Sequence, residues 1–493
     1  MKKINVISCL FAASLLLWAG ASADAQSFGN RLGRMVKSTA EREVGKSVNK
    51  ALDKASKEIS EGVKKGVTKA TAKTGPAIYV NISRGSARGD GSAQSPYKDI
   101  QKAINEAPEG AVIRIAEGNY LGTLDRGWIE IKDKYVNLEG GWNDSFTERN
   151  PQKYITRIQP GIAQKGTIGM GLLMINVTKN RYATMCIDGI CFDLGLCMEY
   201  APADPNDPRH GCPPGCETGR ILPVSTPPNP SIRLIGGSMA GDLTVRNCMF
   251  LNGSFYGFIM MHKGGNWDIY NNVFVSNIVA SFEAHGGLNQ DTDPHVSKVD
   301  FHHNTVMFSW TTTKEMESNG YGYRFRNGVD HNVHHNVFGC NNFGALDMGW
   351  DDSNLPQSNR KICSAYDNRF FMNKGDLVMA GTSGGNWLYI PGRRFDEVEQ
   401  LVKYENNAEL DQNSGLQDVI IEPYLKGYAS LEVIKTESFD PNSAANIFRE
   451  AHGLNMRGTS TTRVSMYGNR YNFDKALDFF GAVEGYGAQL FAE

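Results

Sequence analysis

An asparagine returns along residues 247–370 at nearly constant spacing, each time followed by one residue and then an apolar one. The copies are Asn247-Cys248-Met249, Asn272-Val273-Phe274, Asn304-Thr305-Val306, Asn336-Val337-Phe338 and Asn368-Arg369-Phe370, at intervals of 25, 32, 32 and 32 residues. A fixed period of this size marks a stacked architecture in which each unit buries its apolar face only against its neighbours. The unit reads as strand. It is rich in Val, Ile, Phe and Tyr, it alternates in Trp267-Asp268-Ile269-Tyr270, and Gly and Asn break it at turn positions. One coil of a parallel β-solenoid fits: coils rise by about 4.8 Å, and equivalent asparagines form an amide ladder inside a tight turn.

The ends of the chain carry different signals. Lys2 and Lys3, an apolar run from Ile4 to Ala21 and Ala23-Asp24-Ala25 before Gln26 have the form of a secretory signal peptide over residues 1–25. Its removal implies a secreted, periplasmic or outer-surface protein. No Cys stands at the new N-terminus, so a lipid anchor is not indicated. Eight cysteines remain, and an even count in an exported chain predicts disulfides, concentrated among the five between Cys186 and Cys216. Residues 26–75 hold 12 Lys+Arg against 5 Asp+Glu, whereas the body beyond them carries 37 basic and 47 acidic residues, about −10. That acidic body argues against nucleic acid as a partner. Within the basic segment an eleven-residue repeat aligns Val44, Ala55 and Gly66, which predicts a separate, nearly straight amphipathic helix with lysines opposite a weak apolar stripe. It reads as a spacer, with contact to the cell envelope through residues 31–73 as the alternative.

After Gly75-Pro76 the composition changes, and one domain is predicted over 76–493. Ala77–Asn81, Ala111–Ala116 and Val136–Trp142 read as strands and Ile100–Ala107 as a short helix capping the exposed end of the solenoid. Residues 197–230 hold 9 of the 19 prolines and Cys212-Pro-Pro-Gly-Cys216, which predicts a loop projecting from the coils. His210, Cys212 and Cys216 fit no strong zinc spacing, and bridges are the preferred reading there.

Gly89-Asp90-Gly91-Ser92, Ser95-Pro96-Tyr97, Ile100-Gln101-Lys102-Ala103-Ile104 and Gly118-Asn119-Tyr120 resemble the opening of the secreted right-handed parallel β-helix proteins of the pectin-lyase-like superfamily. Pro423-Tyr424-Leu425, Pro441–Ala445 and Gly481-Ala482-Val483-Glu484 resemble their closing segments. The resemblance covers about 77–493 and implies an all-β, single-stranded, right-handed parallel β-helix, and a polysaccharide as the partner of a monomer. It does not imply one activity, because the superfamily holds lyases, hydrolases, adhesins and unassigned proteins. The Asp-Asp, Gly-His-Gly and Arg-Ile-Lys set of polygalacturonase-like hydrolases is missing, as is the Arg-x-Pro-x-x-Arg motif of classical pectate lyases. No catalytic role carries over from either.

Chemistry is expected where offsets repeat. Eleven residues past the repeat asparagines stand Phe258, Glu283, Glu315, Asp347 and Met379, so that Glu283, Glu315 and Asp347 would stack in one column. Two residues further, His285 and Glu317 share that face. Stacked carboxylates repel and require a cation, raised pKa values or basic neighbours, which Lys263, Arg324 and Arg326 would provide. Two chemistries suit such a column. A lyase acting on uronic acids uses Ca2+ or Arg/Lys to neutralise the sugar carboxylate, with Ca2+ held by Glu283, Glu315 and Asp347, and one of His285, Arg324, Arg326 or Lys263 as base. A glycoside hydrolase uses two carboxyl groups. Trp350, Asp351 and Asp352 offer a sugar-stacking ring and a further acid pair. The alternative to both is a surface that binds glycan without cutting it. His302-His303-Asn304 and His331–Asn336 hold half of the ten histidines; a metal cluster is one reading, and the preferred one makes His303 and His335 markers of a recurring turn, because each directly precedes a ladder asparagine.

Overall fold

The computed structural model describes residues 75–125, 127–161, 171–194, 232–286, 294–309, 320–341, 343–349, 354–380, 387–410, 415–420 and 471–492. The signal peptide, the basic segment, the proline-rich loop with Cys197, His210, Cys212 and Cys216, and Pro423–Ala445 lie outside them.

The coils form three long sheets. Sheet I has ten strands from Ala77–Val80 to Leu401–Lys403, sheet II nine from Gly118–Leu121 to Ala408–Glu409, and sheet III nine, ending at Leu377–Ala380 and Trp387–Ile390. Every ladder among the described strands is parallel except the last pair of sheet III. The chain visits I, II and III in turn and then starts the next coil. Gly265–Tyr270, Val273–Val275 and Ala280–Gly286 make one coil, and Ser297–His302, Thr305–Met307 and Tyr321–Arg324 the next. This is a right-handed parallel β-helix. Its first end is covered by the helix Ile100–Glu106, which is capped by Asp99 accepting from Lys102 N at 2.6 Å and buries Ile100, Ala103 and Ile104.

Alternation along each strand sends one face inward. Phe192, Phe250 and Phe274 stack at 5.4 and 4.4 Å under sheet II, and Phe258, Phe282 and Tyr323 at 4.8 and 5.2 Å under sheet III. Such stacks follow from the coil rise, which matches the spacing of offset-stacked rings.

The asparagine ladder stands at the turn between sheets I and II. Asn304 Nδ2 donates to Ile269 O and Asn336 Oδ1, Asn336 Nδ2 to Phe301 O and Asn368 Oδ1, and Asn368 Nδ2 to Val333 O and Asn407 Oδ1. Each Oδ1 also accepts the backbone N–H of the asparagine one coil earlier. The ladder therefore runs one rung further than the repeat, to Asn407, but it does not begin at Asn247. Met249 pairs with Val273, so Cys248 is the register partner of Asn272, and Asn247 lies one position earlier, beside Asn271. Asn247, Asn271, His303, His335 and Asp367 share a left-handed backbone, φ +50 to +54°. That confirms His303 and His335 as turn residues, and burial holds their imidazoles down to about 2 and about 4. A second ladder at the turn between sheets II and III, in which Asn341 Nδ2 donates to Asn373 Oδ1 and Val306 O, was not legible as a repeat.

The disulfide expectation is overturned for the described cysteines. Cys186, Cys191, Cys248, Cys340 and Cys363 are thiols, and all but Cys186 are buried. Cys191, Cys248, Cys340 and Cys363 fill small positions in the coil wall, and burial drives the thiols of Cys191, Cys248 and Cys340 upward in pKa.

Candidate functional site

Sheet III carries the charged column. Its strands Tyr256–His262, Ala280–Gly286, Tyr321–Arg324, Gly344–Asp347 and Leu377–Ala380 align Ile259, Glu283, Arg324, Asp347 and Val378. Because Phe282 and Tyr323 point inward, their neighbours Glu283 and Arg324 point outward. Glu283 and Asp347 thus share a column, as their offsets predict. Arg324, and not Glu315, stands between them; Glu315 and Glu317 lie outside the described residues. The flanking positions likewise belong to Ile259 and Val378 rather than to Phe258 and Met379.

The displacement has a plain cause. Between sheets II and III the coil passes through four residues in the neighbouring coils, 276–279 and 340–343, but through thirteen, 308–320, in the coil of Arg324. Between register partners the return to sheet I, from Arg324 to His331, is nine residues shorter than that from Glu283 to Val299, so the 32-residue period survives while the register on sheet III moves.

Around Arg324 the charges interlock. Arg324 Nε meets Asp347 Oδ2 at 2.8 Å and Nη1 meets Glu283 Oε2 at 3.2 Å. Arg326 Nε and His285 Nε2 both reach Glu283 Oε1, at 2.9 and 2.8 Å. The two guanidinium contacts to Glu283 are ion pairs, and His285 Nε2 faces the same carboxyl as a side-chain hydrogen-bond partner. Tyr256 Oη lies 3.4 Å from Arg324 Nη1, and the Tyr321 ring lies under the guanidinium at 4.8 Å. Glu283, Arg324 and Asp347 are buried, at 0, 1 and 1% exposure. Burial alone would raise the Glu283 pKa, but His285 and the two guanidiniums outweigh it and hold the carboxyl at about 2. Glu283 is therefore an anion at every physiological pH and cannot serve as a proton donor.

One step along the strands the same face opens to solvent. His285 is the register partner of Met261, and Gly286 N donates to Asn327 O, which keeps His285 level with Arg326. The His285 side chain is 39% exposed and that of Arg326 11%. Asp347 Oδ1 accepts from Gly349 N at 2.9 Å. Gly349 takes φ +70°, and a Cβ there would come within 2.0 Å of Phe325 O, so no side chain can fill the place beyond Arg326. Met261 and His285 thus form an accessible row along the coil axis, with the mostly buried Arg326 at its end and the ion network beneath it. Lys263 sits just past the strand Tyr256–His262, two residues beyond Met261. Trp350, Asp351 and Asp352 lie outside the described residues.

The Ca2+ site expected of Glu283, Glu315 and Asp347 does not fit this arrangement. Arg324 bridges the two carboxylates and already supplies the cation, leaving no joint set of oxygen ligands.

The sequence missed the Tyr323–His331 pair beneath the site. Tyr323 Oη lies 2.7 Å from His331 Nδ1, and His331 Nε2 lies 2.8 Å from Arg326 O. Burial keeps His331 neutral, at about 3. With the carbonyl as acceptor, Nε2 carries the proton and Tyr323 donates to Nδ1, so the backbone of Arg326 is tied to the core.

No protein-family model and no curated protein matches the chain. Among solved structures it is similar to pectate lyase Pel9A, at 10% identity and TM-score 0.35 over 70% of this chain and 80% of that one. It is similar also to a rhamnogalacturonan lyase, at 11% identity and TM-score 0.33 over 84% of this chain and 100% of that one. The pectin methylesterase of Aspergillus niger matches at 12% identity and TM-score 0.28, over 70% and 89%. The class defined by the coordinates is the parallel β-helix with an ion-paired outer face on sheet III. The likenesses are too remote to assign it a reaction.

Proposed function

We propose that this chain is an exported polysaccharide lyase that cleaves a uronic-acid-containing glycan by β-elimination. The observation that carries the reading is an exposed histidine, His285, backed by the buried anion Glu283 and level with Arg326. Glu283 faces Nε2, which favours the proton there and leaves the Nδ1 lone pair as base. Arg326 meets Glu283 through Nε at 2.9 Å, and its terminal nitrogens would receive the sugar carboxylate.

In such a reaction the C–H bond beside the sugar carboxyl breaks and its proton passes to His285 Nδ1. The electron pair forms a C=C bond, the C–O bond to the leaving sugar breaks, and the released oxygen takes a proton from solvent. Arg326 neutralises the sugar carboxylate, which acidifies that C–H. Glu283 steadies the imidazolium as it forms. Among the described residues of the column a hydrolase reading finds no acid, because Glu283 is held ionised and Asp347 is bound by Arg324 and Gly349 N. The accessible row lies along the coil axis, so a linear polymer would meet one of its side chains per coil. Export rests on the signal-peptide pattern of residues 1–25.

The test is incubation with polygalacturonate, alginate and a neutral glucan, followed by ultraviolet absorbance of new unsaturated ends. Product is expected from an acidic glycan only. His285→Gln should lower kcat/KM by about 10²–10⁴-fold with the fold intact. New reducing ends without the absorbance would mean hydrolysis, and saturable binding without new ends would make the row a glycan-binding surface.

A further inference from the structure

Sheet I holds a second cluster, on a different face from the site above. Its outward positions align Asp268 with Asp300 and Asn332, and Tyr270 with His302, His334 and Tyr366. The intervening Trp267, Ile269, Val299 and Phe301 are buried, which fixes the outward direction of the polar set. Asp268 and Asp300 thus stand side by side on adjacent parallel strands, with no Lys or Arg in ion-pair contact with either among the described residues. Like charges directly opposite each other destabilise a sheet.

What faces them is imidazole. His302 Nε2 lies 3.0 Å from Asp268 Oδ1, and His334 Nε2 lies 3.0 Å from Asp300 Oδ1. One donor atom each from Asp268, Asp300 and His302 lies within 4.8 Å of the others. Around a tetrahedral ion with metal–donor bonds of about 2.0–2.2 Å the donors stand about 3.3–3.6 Å apart, so closing on an ion draws these three together by at most about 1.5 Å. Both aspartates keep about half their side-chain surface in solvent, at 47%, so an ion has access.

A supporting shell is already built. His302 Nδ1 lies 2.8 Å from His303 Nδ1, and His334 Nδ1 lies 2.9 Å from His335 Nδ1. Each pair shares one proton. When it sits on His302 Nδ1, that nitrogen donates to His303 and leaves Nε2 with a lone pair aimed at the aspartates. A metal-bound histidine is held in this way, its second nitrogen donating to a fixed acceptor. Stacking holds the rings in place: Tyr270, His302, His334 and Tyr366 follow one another at 5.0, 5.0 and 4.9 Å.

The geometry points to a divalent transition-metal site formed by Asp268, Asp300 and His302, with His334 next in line. Mixed imidazole and carboxylate donors select a zinc-like ion over Ca2+, which takes oxygen ligands. The site is independent of the reaction proposed for sheet III, and binding alone tests it.

Tag-free, chelator-stripped protein would be titrated with Zn2+ by calorimetry and with Co2+ by visible absorption. Wild type should bind one Zn2+ and give a Co2+ ligand-field band. The double variant Asp268→Asn, Asp300→Asn should lose both signals, and His303→Asn should weaken Zn2+ by about tenfold or more. Should the double variant fail to fold, His302→Gln reports the same loss. Absence of a zinc isotherm in wild type, equal zinc binding in the ligand variants, or Ca2+ binding as tightly as zinc would each overturn the assignment.

Discussion

Glu283→Ala should destabilise the β-helix by about 3–5 kcal/mol. The loss comes less from the pair that disappears than from what it leaves behind: Arg324, at 1% exposure, loses one of its two carboxylate contacts in the column, and Arg326 loses its contact to Glu283. The same carboxyl sets an acid limb. Its pKa falls from 4.5 in the unfolded chain to about 2 in the fold, so the stability it contributes is complete above pH 4.5 and is lost as pH drops through 2. That difference corresponds to about 3 kcal/mol. Denaturant unfolding from pH 2 to 7 would show the limb in the wild type and its flattening in Glu283→Ala. An acid limb of the same size in both proteins would mean that Glu283 is not the group responsible.

Asn336→Ala, at the turn between sheets I and II and away from that ion network, should cost about as much. Asn336 donates to Phe301 O and Asn368 Oδ1 and accepts from the N–H and Nδ2 of Asn304, all in the buried turn. Its removal strands several buried polar groups at about 1–3 kcal/mol each, part of which water entry and relaxation recover, giving about 3–5 kcal/mol. Thr305→Ala, one residue past a rung, offers a milder comparison, because its hydroxyl accepts a single backbone bond from Ala488 N. Equal effects of the two substitutions would show that the ladder is not what holds the coils in register.

The repeat made the solenoid legible because a buried asparagine at a left-handed turn has few substitutes. Five copies at nearly one spacing, four of them true rungs, leave little else for the chain to be. The same logic misled in two places. Asn247 imitates a rung, yet Cys248 holds that position, which shifted the expected column partner from Ile259 to Phe258. Arg324 could not be placed by counting, because two turns exchange nine residues while the coil length stays constant. Equal spacing fixes the ladder but not the far wall of the coil. The cysteines failed for another reason: composition suggested bridges, but Cys191, Cys248, Cys340 and Cys363 serve as small buried residues in the wall. Of the site, Glu283, His285, Arg324, Arg326 and Asp347 were all marked by residue type and neighbourhood. Their arrangement, with a guanidinium where a third acid was expected, came only from the register.

A double-mutant cycle on Glu283→Gln and Arg324→Gln, read by denaturant unfolding, tests that register most directly. The column predicts a coupling energy of about 2–3 kcal/mol between the two. No coupling between Glu283 and Arg324 would contradict it.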